Sequence, residues 1–227
     1  MEGVLYELTN SIYINLIREE RYLMLIRGLR VTLEVTLYSV ILGIIIGMIT
    51  ALIRITEPRG LVQLATTYVE VVRGTPVVVQ MVIIYYAILA GSNLPKVIIA
   101  SIAFGINSGA YVSELIRAGI QAVPRGQMEA ARSLGLTWTQ AMRFVIVPQA
   151  IKNILPALVN EAIVLIKETA VVGYIALDDL TRAGNIIRGR TFDAYTPFLL
   201  VALVYLYTTT TLSILAGKLE RRLRESD

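Results

Sequence analysis

Long apolar runs separated by short polar breaks dominate the chain and predict membrane-spanning helices. The runs cover about Val31 to Ile53, Leu61 to Leu89, Val97 to Ile116, Val145 to Ile166 and Pro197 to Ala216. Because a helix of about 20 apolar residues crosses the hydrocarbon core of a bilayer, each run is long enough to span it. The sequence therefore predicts an all-α, polytopic membrane protein with about five transmembrane helices.

The polar segments around these runs predict the domain organisation. Residues 1–30 are expected to form an amphipathic helix at the membrane interface, because apolar residues recur there at helical spacing: Leu5, Leu8, Ile12 and Leu16. Residues 31–217 are expected to form one transmembrane domain, in which the polar loop of about 120–144 is the longest between spans. Residues 218–227 are expected to form a basic tail.

Small residues and one proline break predict how the apolar helices pack and bend. Gly43 and Gly47, and again Gly105 and Gly109, are spaced as GxxxG, a pattern that lets helix backbones approach closely in lipid. The second run is interrupted by Arg73-Gly74-Thr75-Pro76. This break is either a kink that exposes backbone groups to a cavity, or the end of one helix in a re-entrant turn.

Composition excludes several classes of function. The chain is 56% apolar, with a net charge of +4 from dispersed basic residues, which argues against a nucleic-acid-binding surface. It has no cysteine and no histidine, so disulfides, Cys or His metal sites and thiol catalysis are excluded. The phosphate-binding pattern Gly-x-x-x-x-Gly-Lys-Ser/Thr does not occur in the sequence. We expect no cofactor in this chain, and an energy source in another polypeptide.

The distribution of basic residues predicts the orientation in the membrane. A cytoplasmic carboxyl terminus is indicated by Lys218, Arg221, Arg222 and Arg224, and five spans then place the amino terminus outside. The two loops predicted to be cytoplasmic agree, with Arg54, Arg59, Arg117, Arg125, Arg132 and Arg143. The segment before the first span disagrees, because Glu19, Glu20 and Glu34 only partly offset Arg18, Arg21, Arg27 and Arg30.

The polar loop contains a short helix with a small-residue face. Pro124 is suited to start a helix and Gly135 to end it. Ala130 and Ala131 leave room for another protein surface, and Glu129 is placed to pair with Arg132 or with a basic residue of a partner. The segment is therefore either a docking helix or a solvated helix at the interface.

The same loop resembles that of the permease subunits of ABC importers. Their loop carries Glu-Ala-Ala, three residues, Gly, nine residues, then Ile-x-Leu-Pro; here Glu129, Ala130, Ala131, Gly135 and Val145-x-Val147-Pro148 stand at that spacing. The two valines are the only departures. The resemblance implies the type I permease fold of ABC importers and a cytoplasmic coupling helix that contacts an ATPase through Glu129, Ala130, Ala131, Arg132 and Gly135.

Three further segments resemble the branch that transports polar amino acids, the histidine, arginine and glutamine type. They are Tyr68 to Pro76, Ala110 to Arg117, and Leu158 to Glu161 followed by Lys167-Glu168-Thr169. The resemblance implies a place in a prokaryotic inner membrane and several partners. These are two ABC ATPase subunits that bind ATP and Mg²⁺, a second permease copy (identical or related), and an extracytoplasmic amino-acid-binding protein.

Polar residues inside the spans are candidates for substrate contact, because a charge in lipid is costly and normally faces a cavity or a partner. Glu161 is the candidate partner for a cationic group of the amino acid, with Asn160 beside it. We expect additional contacts from Asn107, Ser108, Tyr85, Tyr86 and Tyr111. The alternative is that Glu161 pairs with a structural cation, Lys167 or Arg73. Glu114 and Glu70 are expected to form salt bridges near span ends.

The sequence thus predicts a transport subunit that is not itself an enzyme. The leading hypothesis is the permease of an ATP-driven importer for polar amino acids, with the basic ones, arginine, lysine or histidine, as the expected substrates. An ion-driven secondary transporter or channel, with Glu161 and Glu114 as coupling carboxylates, is the alternative. A membrane scaffold that transports nothing is a third hypothesis.

Overall fold

The computed structural model describes residues 2–56 and 59–225, and every regular element in these ranges is helical. The α-helices are α1 (Glu2–Ile12), α2 (Tyr22–Thr56), α3 (Arg59–Arg73), α4 (Val77–Ile83), α5 (Lys96–Gln121), α6 (Arg125–Ser133), α7 (Trp138–Ala141), α8 (Val147–Glu168), α9 (Leu180–Thr191) and α10 (Thr196–Glu225). Single π-helical turns at Tyr13–Ile17, Ile84–Ile88 and Met142–Ile146 adjoin α1, α4 and α7. The predicted all-α class is confirmed.

Three helices of the described chain are long and apolar enough to cross a membrane: Tyr22–Ile55, Lys96–Gln121 and Thr196–Lys218. Arg59–Arg73 and Val77–Ile88 add a fourth candidate if the bent pair is counted as one span. The sequence predicts about five spans, and the difference is α8, which carries Lys152 and Glu161 among its apolar residues. A fifth span through α8 remains a prediction.

Helices α2 and α5 pack with their backbones in close approach. A Cβ atom at Gly43 would lie 2.8 Å from Ser108 Oγ, and one at Gly105 would lie 2.7 Å from Leu42 Cδ2. Any side chain at these glycines would collide with the facing helix, so each GxxxG motif of one helix receives side chains of the other. The predicted packing role of both motifs is confirmed.

Helix α5 is the most enclosed element and lies between α2, α3, α4 and α8. Phe104 and Ala103 on α5 are fully buried, together with Met81 of α4 and Leu165 of α8. The buried Ser101 hydroxyl inside this packing donates to Val97 O, one turn earlier on α5, at 2.7 Å. The residues of α5 that the sequence marks as functional are therefore held on a rigid element.

Residues 167–193 carry charges of both signs between two apolar runs, a composition that predicts a loop, but the segment is mostly helical. A 3₁₀ helix covers Thr169–Ile175, and α9 follows. The Asp179 side chain caps α9 by accepting from Thr181 N at 3.0 Å and Arg182 N at 2.9 Å. Leu180 and Ile187 on its inner face are fully buried against α2 and α10. The loop prediction was wrong here because α9 is amphipathic: Arg182, Arg188 and Arg190 lie on its outer face, and Asp179 is its buried cap.

The two ends of the chain also differ in extent from the predicted segments. A helix does form near the amino terminus, but the first long helix begins at Tyr22, so residues 22–30 belong to α2. The separation falls at Glu19 and Glu20, whose φ angles of 57° and 53° are left-handed. At the other end, α10 continues without interruption to Glu225, through most of the predicted tail.

Candidate functional site

Helix α6 forms where the sequence places the coupling helix. It starts directly after Pro124, whose φ of −56° suits a helix start, and it ends before Gly135, whose φ of +88° is left-handed. Gly135 N donates to Arg132 O at 3.0 Å and Leu136 N to Ala131 O at 3.2 Å, so the last carbonyls of the helix are satisfied. Local sequence signals thus fix both ends of α6.

The side chains of α6 divide into an exposed and a buried face. Glu129, Ala130 and Arg132 are exposed, whereas Ala131 is only 4% exposed and turns inward. The expectation that both alanines open the surface to a partner was wrong for Ala131. Arg132 Nη1 donates to Leu136 O at 2.8 Å, and no ion pair within residues 2–56 and 59–225 involves Glu129. The Glu129 carboxylate therefore faces solvent.

Apolar side chains surround α6 at the surface. Leu134 is 84% exposed, Phe144 63% and Trp138 45%. The turn between α6 and α7 is held by a capping box in which Thr137 N donates to Gln140 Oε1 at 2.8 Å. Exposed large apolar groups beside a polar helix are typical of protein–protein contact surfaces. We call α6 with Leu134, Trp138 and Phe144 the docking surface.

An Arg–Glu–Arg cluster joins the end of α2 to the last part of α5. Glu114 accepts from Arg54 Nη1 of α2 at 2.5 Å and from Arg117 Nη2 at 2.6 Å. This is the expected salt bridge near a span end. Glu70, the other carboxylate expected to pair, is exposed and makes no ion pair among the described residues. The cluster ties the end of α2 to the part of α5 that leads into α6.

A second polar group lies deeper, around Glu161 of α8. Its Oε1 accepts a hydrogen bond from Ser108 Oγ of α5 at 3.2 Å. Neither Lys167 nor Arg73 pairs with it in the part of the chain that the structure describes, so the structural-cation alternative is not observed. Ser108 is 1% exposed, whereas Glu161 is half-buried and Asn160 is exposed. One oxygen of Glu161 is thus fixed by a neutral donor.

The proline break between α3 and α4 is closed by a residue that sequence analysis missed. Gln80 Nε2 donates to Val72 O at 2.7 Å and to Thr75 O at 3.0 Å, while Gln80 Oε1 accepts from Asn107 Nδ2 at 3.1 Å. The side chain thereby satisfies carbonyls that lost their helical donors at Pro76. The axes of α3 and α4 differ by 108°, which is far more than a kink within one helix. Of the two interpretations of the break, the structure therefore supports the one in which α3 ends here.

Tyrosines occupy different surroundings around α5. Tyr111 lies under the Arg73 guanidinium, whose Cζ is 5.2 Å from the ring centre. Tyr68 Oη donates to Ile106 O at 2.5 Å. Tyr85 packs against the main core and meets Tyr86 edge to face at 4.7 Å, and Tyr86 is 59% exposed.

The structure therefore brings four of the predicted substrate residues to one region of α5 and α8: Asn107, Ser108, Tyr111 and Glu161. With Arg73 and Gln80 we call them the polar cluster. Asn107 is only 4% exposed, and its amide, like the Ser108 hydroxyl, is engaged by protein. In this conformation these two groups form a wall behind Glu161 rather than an open binding surface.

Comparison with known proteins decides the family. The family described as binding-protein-dependent transport system inner membrane component matches residues 43–225, which include the last part of α2 and all of α3 to α10. The chain belongs to this family. As an inner-membrane component of a binding-protein-dependent transport system it is a membrane-spanning transport subunit, as the sequence predicts.

Several relatives match this inner-membrane component over most of their length. The arginine transport system permease protein of Bacillus subtilis is 38% identical over 205 residues, 89% of this chain and 94% of that protein. A putative glutamine transport system permease protein of Rickettsia prowazekii is 40% identical over 205 residues, with the same coverage of 89% and 94%.

Solved structures agree with this assignment. A crystal structure of an amino acid ABC transporter with histidines has a chain that is 47% identical, with a TM-score of 0.84 over 88% of this chain and 94% of that one. The MetNI methionine ABC transporter shares the fold at 20% identity, with a TM-score of 0.79 over 91% and 99%. The predicted fold of ABC importer permeases is confirmed.

Proposed function

We propose that this inner-membrane component is the permease subunit of an ATP-driven ABC importer for polar, basic amino acids. Relatives named for arginine and glutamine transport, and the amino acid transporter structure, support the polar amino acid class. The preference for a basic amino acid depends on Glu161, which has a hydroxyl group as its hydrogen-bond partner and no paired cation within the described residues. A cationic side chain would complete its coordination.

The docking surface supports coupling to a separate ATPase, and it is the observation that carries the proposal. Helix α6 projects Glu129 and Ala130 outward on a helix whose two ends are fixed. Its inner face packs through Met128 against an apolar cluster that includes Ala150 and Ile154 of α8, and Ile120 of α5 packs against the same cluster. A displacement of α6 would therefore act on both helices. Each of two ABC ATPase subunits, which bind ATP and Mg²⁺, would contact the segment Glu129 to Gly135 of one permease copy and displace it.

The proposal includes the remaining partners and the orientation. A second permease copy, identical or related, would complete a pathway between the two chains. A soluble amino-acid-binding protein would deliver the substrate from outside, in line with the family description. Because the ATPases are cytoplasmic, α6 and the carboxyl terminus lie in the cytoplasm and the amino terminus lies outside.

Reconstitution of the chain with its ATPase and binding protein in liposomes tests the proposal. We expect ATP turnover to rise with arginine, lysine or histidine in the receptor, and Glu129→Lys to abolish this rise because it reverses a charge on the docking surface. Glu7→Lys, the same charge reversal at an exposed residue of α1 outside the docking surface, is the matched control and should retain most of the stimulation. Transport by the chain without any ATPase would contradict the proposal.

The substrate assignment is tested in the same preparation. Glu161→Gln should weaken arginine binding by about tenfold or more, since a charge-assisted hydrogen bond contributes about 1.5–3 kcal/mol. Glu70→Gln removes an exposed carboxylate and should leave binding unchanged. Equal arginine affinity in Glu161→Gln and the unmodified chain would remove the basis for a basic substrate.

A further inference from the structure

The first long helix is longer than a membrane is thick. Helix α2 has 35 residues and is therefore about 52 Å long, whereas the hydrocarbon core of a bilayer measures about 30 Å. The apolar run of α2 begins only at Val31, and the turns before it carry Arg27 and Arg30. In the proposed orientation most of the surplus length lies on the outer side. The first turns of α2 therefore stand above the membrane.

Helix α9 runs along this projecting part of α2. At its start, Leu180 N donates to Thr32 Oγ1 at 3.3 Å, and near its end Arg190 Nη1 lies 3.9 Å from Met24 Sδ. Met24 precedes Val31 by seven residues, which is about 10 Å along a helix. Because the headgroup region adds only about 5–7 Å on each side of the core, the carboxyl end of α9 lies beyond the lipid headgroups.

Phe192, directly after α9, combines a left-handed backbone with an exposed aromatic ring. Its φ of 55° and ψ of 16° are left-handed, and the residue is 93% exposed. A residue with a Cβ atom is strained in this conformation, and helices most often place glycine at such an end. Neither the strain nor the exposed ring stabilises the fold. Backbone strain of this kind concentrates at functional sites.

Two further exposed side chains accompany Phe192. Phe192 N donates to Arg188 O at 2.9 Å, and Tyr195, three positions later, is 79% exposed. The Arg188 side chain is exposed, lies over the Phe198 ring at 5.7 Å and forms no salt bridge with any residue that the structure describes. The neighbouring carboxylate of Asp193 already accepts four hydrogen bonds. We call Arg188, Phe192 and Tyr195 the outer patch.

We propose that the outer patch is the contact site for the soluble amino-acid-binding protein, with the Phe192 ring in an apolar pocket of that protein and Arg188 against one of its carboxylates. This inference rests on the proposed function and names the surface that the receptor meets. Aromatic residues and arginine are the types that dominate protein interfaces, and a position beyond the headgroups favours a protein over the bilayer. The strained turn holds the ring in place before the receptor arrives, which lowers the entropy lost on binding.

Two glycine substitutions separate the contact from the strain. Ala176 is also left-handed, with a φ of 54°, and exposed, but it has no ring. Binding of the arginine-saturated receptor to the permease–ATPase complex in nanodiscs is measured together with thermal unfolding. Phe192→Gly and Ala176→Gly should both leave the unfolding midpoint equal or higher, because glycine adopts a positive φ without strain. Only Phe192→Gly should weaken receptor binding, by about tenfold or more. If Phe192→Gly lowers the midpoint, Phe192→Asn takes its place, since asparagine also tolerates this conformation.

Charge reversal tests the second contact of the outer patch. Arg188→Glu should weaken receptor binding by about tenfold or more, because it places two carboxylates against each other. Arg188→Gln should reduce the dependence of the receptor affinity on salt, which a purely structural role of Arg188 would not change. Arg59→Glu, the same reversal at an exposed arginine at the start of α3, is the matched control and should leave the receptor affinity within about twofold.

Tryptophan fluorescence tests the bilayer surface as the alternative occupant. Phe192→Trp is combined with Trp138→Phe, which removes the only native tryptophan, and the chain is placed in nanodiscs with brominated phospholipid. We expect little quenching for Phe192→Trp and strong quenching for Leu206→Trp, an exposed position within α10. Strong quenching of Phe192→Trp, or unchanged receptor affinity in both Phe192→Gly and Arg188→Glu, would overturn the outer patch and leave the importer proposal intact. A receptor that does not bind the unmodified complex would overturn both.

Discussion

At the α2–α5 interface, four glycines stand where any side chain would meet the facing helix. A Cβ added to Gly109 would lie 2.7 Å from Ile46 Cγ2 and 3.0 Å from Tyr68 Oη. The Tyr68 hydroxyl also donates to the backbone of α5, at Ile106 O. Ser108, the partner of Glu161, is the preceding residue. Packing of α2 against α5 and the geometry of the polar cluster therefore depend on the same few atoms.

We predict that Gly109→Ala destabilises the protein by about 1–3 kcal/mol, the usual cost of inserting a methyl group into a closely packed interface. Thermal unfolding in detergent, followed by the fluorescence of Trp138, measures the change. Gly60→Ala is the matched control, because a Cβ there meets nothing within 4 Å and alanine favours the helix by about 1 kcal/mol. If Gly109→Ala and the unmodified chain had the same midpoint of thermal unfolding, the interface between α2 and α5 would tolerate the extra methyl group, contrary to the prediction.

The polar cluster shows which site residues a sequence reveals and which it hides. Glu161, Asn107 and Ser108 are visible because a polar group in an apolar run demands a partner. The role of Gln80 is hidden, since the carbonyls it satisfies become available only after Pro76 ends the helical hydrogen bonding. Ala131 was misassigned for another reason: within a nine-residue helix, one position decides whether a small residue faces solvent or the core.

Among the helices, one aspartate connects the beginning of the chain with the last long helix. Asp193 Oδ1 accepts from Tyr195 N at 3.0 Å and Thr196 N at 3.1 Å, which caps α10. Its Oδ2 accepts from Ser11 Oγ at 3.1 Å and Asn15 Nδ2 at 2.8 Å. Desolvation raises the pKa of Asp193, but the hydrogen bonds from Thr196, Tyr195 and Ser11 outweigh it and lower the pKa to about 2.

This pKa predicts the range of pH over which α1 stays attached. A carboxylate with a lowered pKa stabilises the fold above its ordinary pKa of 3.8, and this contribution is lost as the pH falls toward about 2. Spin labels at Asn10→Cys and Ala194→Cys, in a chain without native cysteine, report the separation. We expect a narrow distance distribution from pH 7 to about 4 that broadens only below it.

Removal of the carboxylate should have the same effect at neutral pH. Asp193→Ala is expected to broaden the distribution at pH 7, because Ser11 and Asn15 lose their shared acceptor. Asp178→Ala, which removes an exposed carboxylate before α9, is the control and should leave the distribution narrow. A narrow distribution in Asp193→Ala would mean that apolar contacts alone hold α1.

Whole helices, like single residues, can be predicted from the sequence where the signals for their ends and faces are local. Helix α6 is predictable because Pro124 and Gly135 mark its ends within the sequence itself. Helix α9 has equally local signals, an Asp179 cap and buried residues at helical spacing, but it lies in a stretch where charge dominates. The number of predicted spans depends on α8, whose polar residues make it less apolar than the other long helices. One of them, Glu161, bonds to Ser108 of α5, a contact that the sequence alone does not reveal.

On the scale of the whole molecule, α8 follows the docking surface along the chain and precedes the turn at Asp193. This helix has 22 residues, which corresponds to about 33 Å and matches a hydrocarbon core of about 30 Å. The Arg54–Glu114 bridge joins α2 to α5, and Met128 of α6 packs against the apolar cluster that includes Ala150 and Ile154 of α8. Asp193 fixes α1 to α10. Helix α6 therefore contacts α8, which also carries Glu161 of the polar cluster.

The proposed orientation in the membrane predicts opposite accessibility for two exposed alanines. Ala130 lies on α6 and Ala194 beside Asp193, and alanine to cysteine is a small change in a chain that has no cysteine. In intact cells a membrane-impermeant maleimide should label Ala194→Cys and leave Ala130→Cys unlabelled, and permeabilisation should make both reactive. Gln127→Cys, on the same exposed helix as Ala130, should behave like Ala130→Cys. If Ala130→Cys reacted from outside, α6 would be inaccessible to a cytoplasmic ATPase, and the basic residues before α2 would instead mark the inner side of the membrane.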